Sequence, residues 1–425
     1  MGITARVGVC ALIGVVVVAL ALPSWAGVLA VLAVIVLLVL VDLALAGSVR
    51  GLSFSRGGAV SGRSGEPIDV TLSVTNPGRR AVRGELRDAW PPSAGVVQDR
   101  HRLVVPPGER RTISLRLLPS RRGERVAHRV TVRSVGPLGL AARQGSHRVP
   151  GSVRVLPPFH SRKHLPARLA RLQQLDGRQA ALTRGEGTEF DSLREYVIGD
   201  DVRSIDWRAT ARSADVMVRT WRPERDRHLV LVLDTGRTAA GRVGDAPRLD
   251  AAIEGALLLG TLAAQAGDRV DLIAYDRELR AAAKGASTGA NALAPVEPSL
   301  IETDARGLVG EVLKRTRQRA LVVLFTGLDT APIEEGLLPV LPLLTARHRV
   351  LVASVRDPRV AEMAAGRGDA EAVYDAAAAE RTLAERRWVT GLLGRQGVGV
   401  VDALPEELAP ALADRYLALK AAGRL

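Results

Sequence analysis

Two long apolar runs open the chain, residues 7–22 without interruption and residues 25–46 broken only by Asp42. At 1.5 Å per residue the second reaches about 33 Å, enough for a hydrocarbon core of about 30 Å, and the first only about 24 Å. Pro23 and Ser24 alone separate them. The pattern therefore predicts a transmembrane helical hairpin over residues 1–49; a signal peptide cleaved near Ala26 is the other reading of the first run. Arg6 precedes the pair and Arg50 and Arg56 follow it. By the positive-inside rule both ends, and all that follows, are expected in the cytoplasm. The expectation is a multi-pass protein of the cell membrane, contacting lipid through its N-terminal helices. Asp42, within a turn or so of the inner end, is expected to be solvated at the interface.

Beyond the apolar runs the period changes to two. Residues 68–74, 112–117 and 129–133 alternate apolar and polar side chains, as half-buried strands do, and turn residues fall between them at Asn76-Pro77-Gly78, Pro106-Pro107-Gly108 and Gly136-Pro137. Residues 50–156 thus predict an immunoglobulin-like antiparallel β-sandwich, without a disulfide because Cys10 is the only cysteine. Such a module binds or spaces, and no chemistry is assigned to it.

From residue 228 the pattern changes again, to short continuous apolar runs. Residues 228–234 end on Asp234, and similar runs recur at 270–275, 320–325 and 350–355, with helical stretches at 249–266 and 333–346 between them. Continuous runs fit parallel strands buried on both faces, and their alternation with helices predicts a doubly wound α/β domain over residues 228–425. Residues 157–227 join the two. In such a sheet the ligand crevice lies beyond the carboxyl ends of the strands, where strand order reverses, which puts Asp234 at the expected place.

The net charge of +14 changes this picture only once it is located. Residues 47–180 carry 25 Lys and Arg against 8 Asp and Glu, whereas residues 181–425 carry 33 against 36. A cationic sandwich beside a membrane accounts for the excess, with outward arginines facing lipid headgroups or plain solvent. With few aromatics for stacking and no reading motif, nucleic acid is not expected as a partner.

Asp234-Thr235-Gly236-Arg237-Thr238 resembles the D-x-S-x-S element of von Willebrand factor A domains, in which an Asp and two hydroxyls help hold a divalent cation. The resemblance covers roughly residues 228–425 and implies a site for a hard ion such as Mg²⁺. Gly236 stands where the first serine belongs, Thr238 replaces the second, and Thr303 fills the threonine position. Gly327 stands at the second aspartate, leaving Asp329 to compensate. With two of five ligands reduced to glycine, the expectation is no cofactor and a protein-binding crevice; the competing reading is a divalent-metal-dependent receptor or enzyme centred on Asp234.

The densest chemistry lies at residues 185–212, where Glu189, Asp191, Glu195, Asp200, Asp201 and Asp206 interleave with Arg194, Arg203, Arg208 and Arg212. Alternating charges pair locally, and without His or Cys the block offers no nucleophile with its base. Adjacent carboxylates such as Asp200 and Asp201 point to opposite faces of an extended chain, a poor acid–base pair. Gly187-Thr188-Glu189-Phe190, Leu193-Arg194-Glu195-Tyr196, Gly199-Asp200-Asp201, Arg203 and Ile205-Asp206-Trp207 closely resemble the signature of the family catalogued as domain of unknown function fifty-eight. Arg121-Arg122-Gly123 and Gly136-Pro137-Leu138-Gly139-Leu140 extend the resemblance into the sandwich. It implies a membrane-anchored, von Willebrand A-like protein working with a MoxR-type AAA+ ATPase, hence a non-enzymatic adaptor in protein assembly or maturation. No G-x-x-x-x-G-K-[ST] is present, so hydrolysis of ATP falls to the partner. Glu189, Arg194, Tyr196, Asp200, Asp201, Arg203, Asp206 and Trp207 are the expected contact residues, either locking the two domains, with Gly185, Gly187 and Gly199 permitting tight turns and Tyr196 and Trp207 as buried anchors, or docking the ATPase.

Overall fold

The computed structural model describes residues 2–182, 189–213, 215–222 and 227–423. The chain divides into two compact units, residues 1–158 and 159–425, so the joining segment expected at 157–227 falls almost wholly within the second.

The first unit opens with two apolar helices, Ala5–Ala21 and Trp25–Leu45, the second capped by the Ser24 hydroxyl accepting from the Gly27 amide at 3.2 Å. Among the described residues only Trp25–Leu45 is long and apolar enough to cross a membrane, with a mean hydropathy of 3.2; the expectation of two full spans reduces to one qualifying helix and a shorter companion. A two-layer β-sandwich follows. One layer joins Ser53–Gly58, Ile68–Thr75 and Arg110–Leu117; the other runs from the short N-terminal strand Gly2–Ile3 through Ala141–Leu156, Gly123–Val135 and Val82–Ala89 to Arg100–Val105. Inward residues of both layers, among them Leu72, Val74, Leu86, Leu117, Val130 and Val132, form one core, as the period-two pattern requires.

Asp42 departs from its expected place in solvent. It is fully buried, and its carboxylate accepts from the amides of Leu138, Leu140 and Ala141 at 2.7, 2.7 and 2.8 Å. The loop can close on it because residue 136 is glycine: a Cβ there would overlap the Asp42 carboxylate and carbonyl. The Gly136-Pro137-Leu138-Gly139-Leu140 motif is thus a carboxylate-binding loop that fastens the apolar helix to the sandwich. Thr4 and Arg6 reach the same loop, through Thr4 N to Leu140 O at 3.0 Å and Arg6 Nη1 to Leu138 O at 3.4 Å, so the start of the first helix lies beside the end of the second. Arg143 Nε caps the Leu43 carbonyl at 3.0 Å.

The second unit is built on a six-stranded sheet in the order Leu279–Lys284, Arg269–Tyr275, His228–Asp234, Ala320–Phe325, Arg349–Val355, Gly399–Ala403, parallel except for the first. Residues of His228–Asp234 alternate between two cores: Leu229, Leu231 and Leu233 meet helices Arg248–Gln265 and Pro405–Ala421, while Val230 and Val232 meet helices Ala305–Arg315 and Ala370–Arg395. The sheet is therefore covered by helices on both faces, which is why its strands read as continuous apolar runs. The helix expected at 333–346 is instead broken, into a π-helical turn Pro332–Leu337 and a short helix Leu341–Thr345 with Pro342 at its start.

Candidate functional site

Strand order reverses between His228–Asp234 and Ala320–Phe325, and a cavity of about 310 Å³ opens there. Val232, Leu308, Leu324, Ile333 and Leu337 supply its apolar wall, and Asp234, Thr238, Thr303, Thr326, Glu302 and Glu335 its polar lining. Part of that wall is the π-helical turn, a geometry common beside functional sites.

Asp234, the last residue of its strand, is buried and held from every side. The Gly236 amide donates to Oδ1 at 2.8 Å, Thr238 Oγ1 and Thr326 Oγ1 donate to Oδ2 at 2.8 and 2.7 Å, and the Thr303 hydroxyl donates to Oδ1. The loop bearing Thr303 is pinned by Arg237 N to Ile301 O at 2.8 Å and Asp304 N to Asp276 O at 2.8 Å. Asp276 itself is buried and accepts from Arg280 Nε at 2.8 Å and Ser299 Oγ at 3.0 Å. Asp234, Thr238 and Thr303 thus come together as the resemblance implied, and Thr326 joins them.

Asp329 makes no hydrogen bond with them among the described residues. Its carboxylate is about half exposed and pairs with Arg248 Nη1 at 3.8 Å, while one of its oxygens takes the space that a Cβ on Gly327 would enter. A carboxylate offers about four lone-pair positions, and those of Asp234 are taken by one amide and three hydroxyls. Gly236 is equally committed, since a Cβ there would overlap the Thr303 hydroxyl and lie 2.9 Å from the Ile301 carbonyl. Thr303 thus fills the space a serine at 236 would need. One saturated carboxylate with three threonines does not fit Mg²⁺, which draws on one or two free carboxylates. No cluster of three or more His, Cys, Asp or Glu able to hold a metal occurs among the described residues.

The signature block folds as a β-hairpin, Glu189–Glu195 paired with Met217–Arg222. Arg194 Nη1 and Nη2 donate to Asp200 at 2.7 and 2.5 Å, closing the turn at Gly199, whose φ of 111° favours glycine. Asp201 caps the turn Val202–Ser204, accepting from Arg203 N at 2.9 Å; Asp206 caps Trp207–Thr210 and accepts from Arg219 Nε at 2.7 Å. Gly185, Gly187 and Thr188 lie outside the described residues, and of the side chains of Glu189 and Asp191 nothing is described. Trp207, expected as a buried anchor, is 67% exposed, and Ile198, Val202 and Val197 are 96%, 62% and 61% exposed; Tyr196 is half-buried. Its capping and pairing acids are used within the hairpin, while its apolar side chains face outward.

The Arg194 hydrogen bond, helped by the Val197 amide, holds Asp200 below the usual carboxylate range, and the Ala209 amide with Arg219 does so for Asp206. Because both folded-state pKa values lie below the unfolded one, their stabilisation is complete above the ordinary Asp range and is lost as pH falls through the folded values. Hydrogen exchange should show hairpin amides equally protected at pH 7 and pH 5, after intrinsic-rate correction, and deprotected below about pH 4. Loss of protection already between pH 7 and 5 would contradict this account.

These features define an α/β unit with a ligand-sized crevice and an internally tied hairpin, preceded in the sequence by a sandwich joined to an apolar helix. Residues 192–387 match the family described as "Protein of unknown function DUF58". The chain is 28% identical to the uncharacterized protein Rv1480 of Mycobacterium tuberculosis over 197 residues, 44% of this chain and 61% of that one. It is 29% identical to the uncharacterized protein YeaD of Bacillus subtilis over 136 residues, 31% of this chain and 33% of that one. The match thus spans about three fifths of the mycobacterial relative and one third of the other. Among solved structures, the CARDB domain of a Pyrococcus furiosus protein is similar at 14% identity and a TM-score of 0.19, over 24% of this chain and 91% of that one. An Escherichia coli alpha-2-macroglobulin segment is similar at 18% identity and a TM-score of 0.21, over 27% and 18%.

Proposed function

We propose that the chain is a non-enzymatic, membrane-anchored adaptor whose signature hairpin docks a MoxR-type AAA+ ATPase in protein assembly or maturation. The observation that carries this reading is the division of labour in the hairpin. Its ion pairs fix the fold of the turn, while Trp207, Ile198, Val202 and Val197 stand in solvent with no core to enter. Exposed aromatic and aliphatic side chains on a rigid support are what a protein interface uses as anchors. Arg50 and Arg56, which follow the membrane-length helix Trp25–Leu45, support soluble units on the cytoplasmic side by the positive-inside rule. The doubly wound sheet, with Asp234 at its switch point, supports a von Willebrand A-like unit that has given up its cation.

The test is association of the detergent-solubilised protein with a MoxR-type ATPase, measured in the apo, ADP and non-hydrolysable ATP states. Trp207→Ala and Ile198→Asp are exposed changes expected to leave thermal stability within about 0.5 kcal/mol. Each should weaken association at least ten-fold. Absence of binding in every nucleotide state, or binding indifferent to both substitutions, would sink the proposal.

A further inference from the structure

The outer face of the larger sandwich sheet carries a cluster that stability does not explain. Strands Gly123–Val135 and Ala141–Leu156 pair antiparallel, and their register slips between Ala127 and Arg129, so that Val149 and Pro150 together face His128. Proline is tolerated there because a bulged position need not donate to the ladder. The slip leaves the consecutive residues His128 and Arg129 both exposed and sets Arg129 directly opposite Arg148. Like charges directly opposite each other on neighbouring strands destabilise a sheet. Among the described residues neither arginine has an ion-pair partner, and the nearby Arg56 is occupied by Asp88 at 2.6 Å.

His147, next to Arg148, turns to the other face of the strand, in register with the buried Val130. Its ring lies 4.7 Å from that of Phe54, and its Nε2 is buried without a hydrogen-bond partner. His128, Arg129, Ser146, His147 and Arg148 line an open cleft of about 630 Å³. Two guanidiniums without ion-pair partners among the described residues, facing one space, call for an acceptor with several oxygens and a negative charge.

We propose that this cleft binds a phosphate group bridging Arg129 and Arg148. Guanidiniums match phosphate oxygens in geometry, and charge-assisted bonds of this kind are the strong ones. The bound anion converts the repulsive Arg129–Arg148 register into a stabilising one. Its source is either a soluble phosphate or the headgroup of an anionic lipid.

The full-length protein in phosphatidylcholine nanodiscs should show a saturable rise in melting temperature with inorganic phosphate that chloride at equal ionic strength does not reproduce. Arg129→Gln and Arg148→Gln should each weaken that response at least ten-fold. In phosphate-free buffer both variants should be at least as stable as the parent, because each removes a repulsion; a merely structural arginine would give the opposite sign. Phosphatidylglycerol nanodiscs without added phosphate form the second arm. A rise there assigns the site to a lipid headgroup, and a rise with inorganic phosphate alone assigns it to a soluble ligand. No rise in either arm, a response that survives both substitutions, or destabilised variants in phosphate-free buffer would overturn the proposal.

Discussion

Asp42→Ala is expected to lower the melting temperature of the sandwich unit by roughly 10 °C, measured on the full-length protein in detergent micelles. The carboxylate it removes satisfies three amides, of which those of Leu140 and Ala141 are bonded in a buried setting. Stranding buried donors costs about 1–3 kcal/mol each, so a total of about 3 kcal/mol is a moderate figure, and each kcal/mol moves the transition of a unit this size by about 4 °C. Asp42→Asn should recover only part of the loss, because its oxygen replaces one acceptor while its amide nitrogen meets an N–H group head-on. Gly136→Ala should cost a similar amount, and part of that cost should vanish in an Asp42→Ala background, since the new methyl overlaps the carboxylate. Full additivity of the two, or a shift of under about 2 °C for Asp42→Ala, would mean that the acid is solvated after all.

This contact also shows where reading the sequence stops. The strands 320–325 and 228–234 are legible because burial on both faces leaves only apolar residues, and the sandwich strands because burial on one face leaves a period of two. Asp42 offers no such signal. Its partners are main-chain amides about a hundred positions away, which have no side-chain pattern. The strand Leu279–Lys284 is hidden for another reason: Leu-Arg-Ala-Ala-Ala-Lys is made of helix formers, and the open edge of Arg269–Tyr275 overrides their propensity. In the region 333–346 the apolar spacing marks the buried residues Ile333, Leu337, Leu341 and Leu344 correctly, but Pro342 breaks the helix it predicts. At the switch point the motif locates Asp234, Thr238 and Thr303, whereas Thr326 and the Arg248–Asp329 pair emerge only when strand ends and loops meet in space. A tryptophan amid charges reads as an anchor for the chain's own core, but Trp207 sits on a hairpin that offers it none and is exposed.

Magnesium should produce no saturable heat on titration into the protein, and a serine at position 236 should not change that. Gly236→Ser puts a Cβ against the Thr303 hydroxyl and the Ile301 carbonyl. Its first effect is therefore to displace Thr303 from Asp234, with a stability loss of about 1–3 kcal/mol as an overpacked site and a broken hydrogen bond would give. Asp234→Ala removes the common acceptor of the Gly236 amide and three threonine hydroxyls, with an expected cost of about 2–4 kcal/mol. The hydroxyls border the cavity and can turn toward water, which places the loss below that of a wholly enclosed charge. Urea titration reads both variants, and calorimetry reads the ion. Saturable magnesium binding by the parent that Asp234→Ala abolishes would show that the threonines yield their bonds to a cation, and would return the crevice to the metal-dependent class. Equal destabilisation by the two variants, with no heat from magnesium in either, identifies Asp234 as the acceptor that holds the three loops of the switch point together.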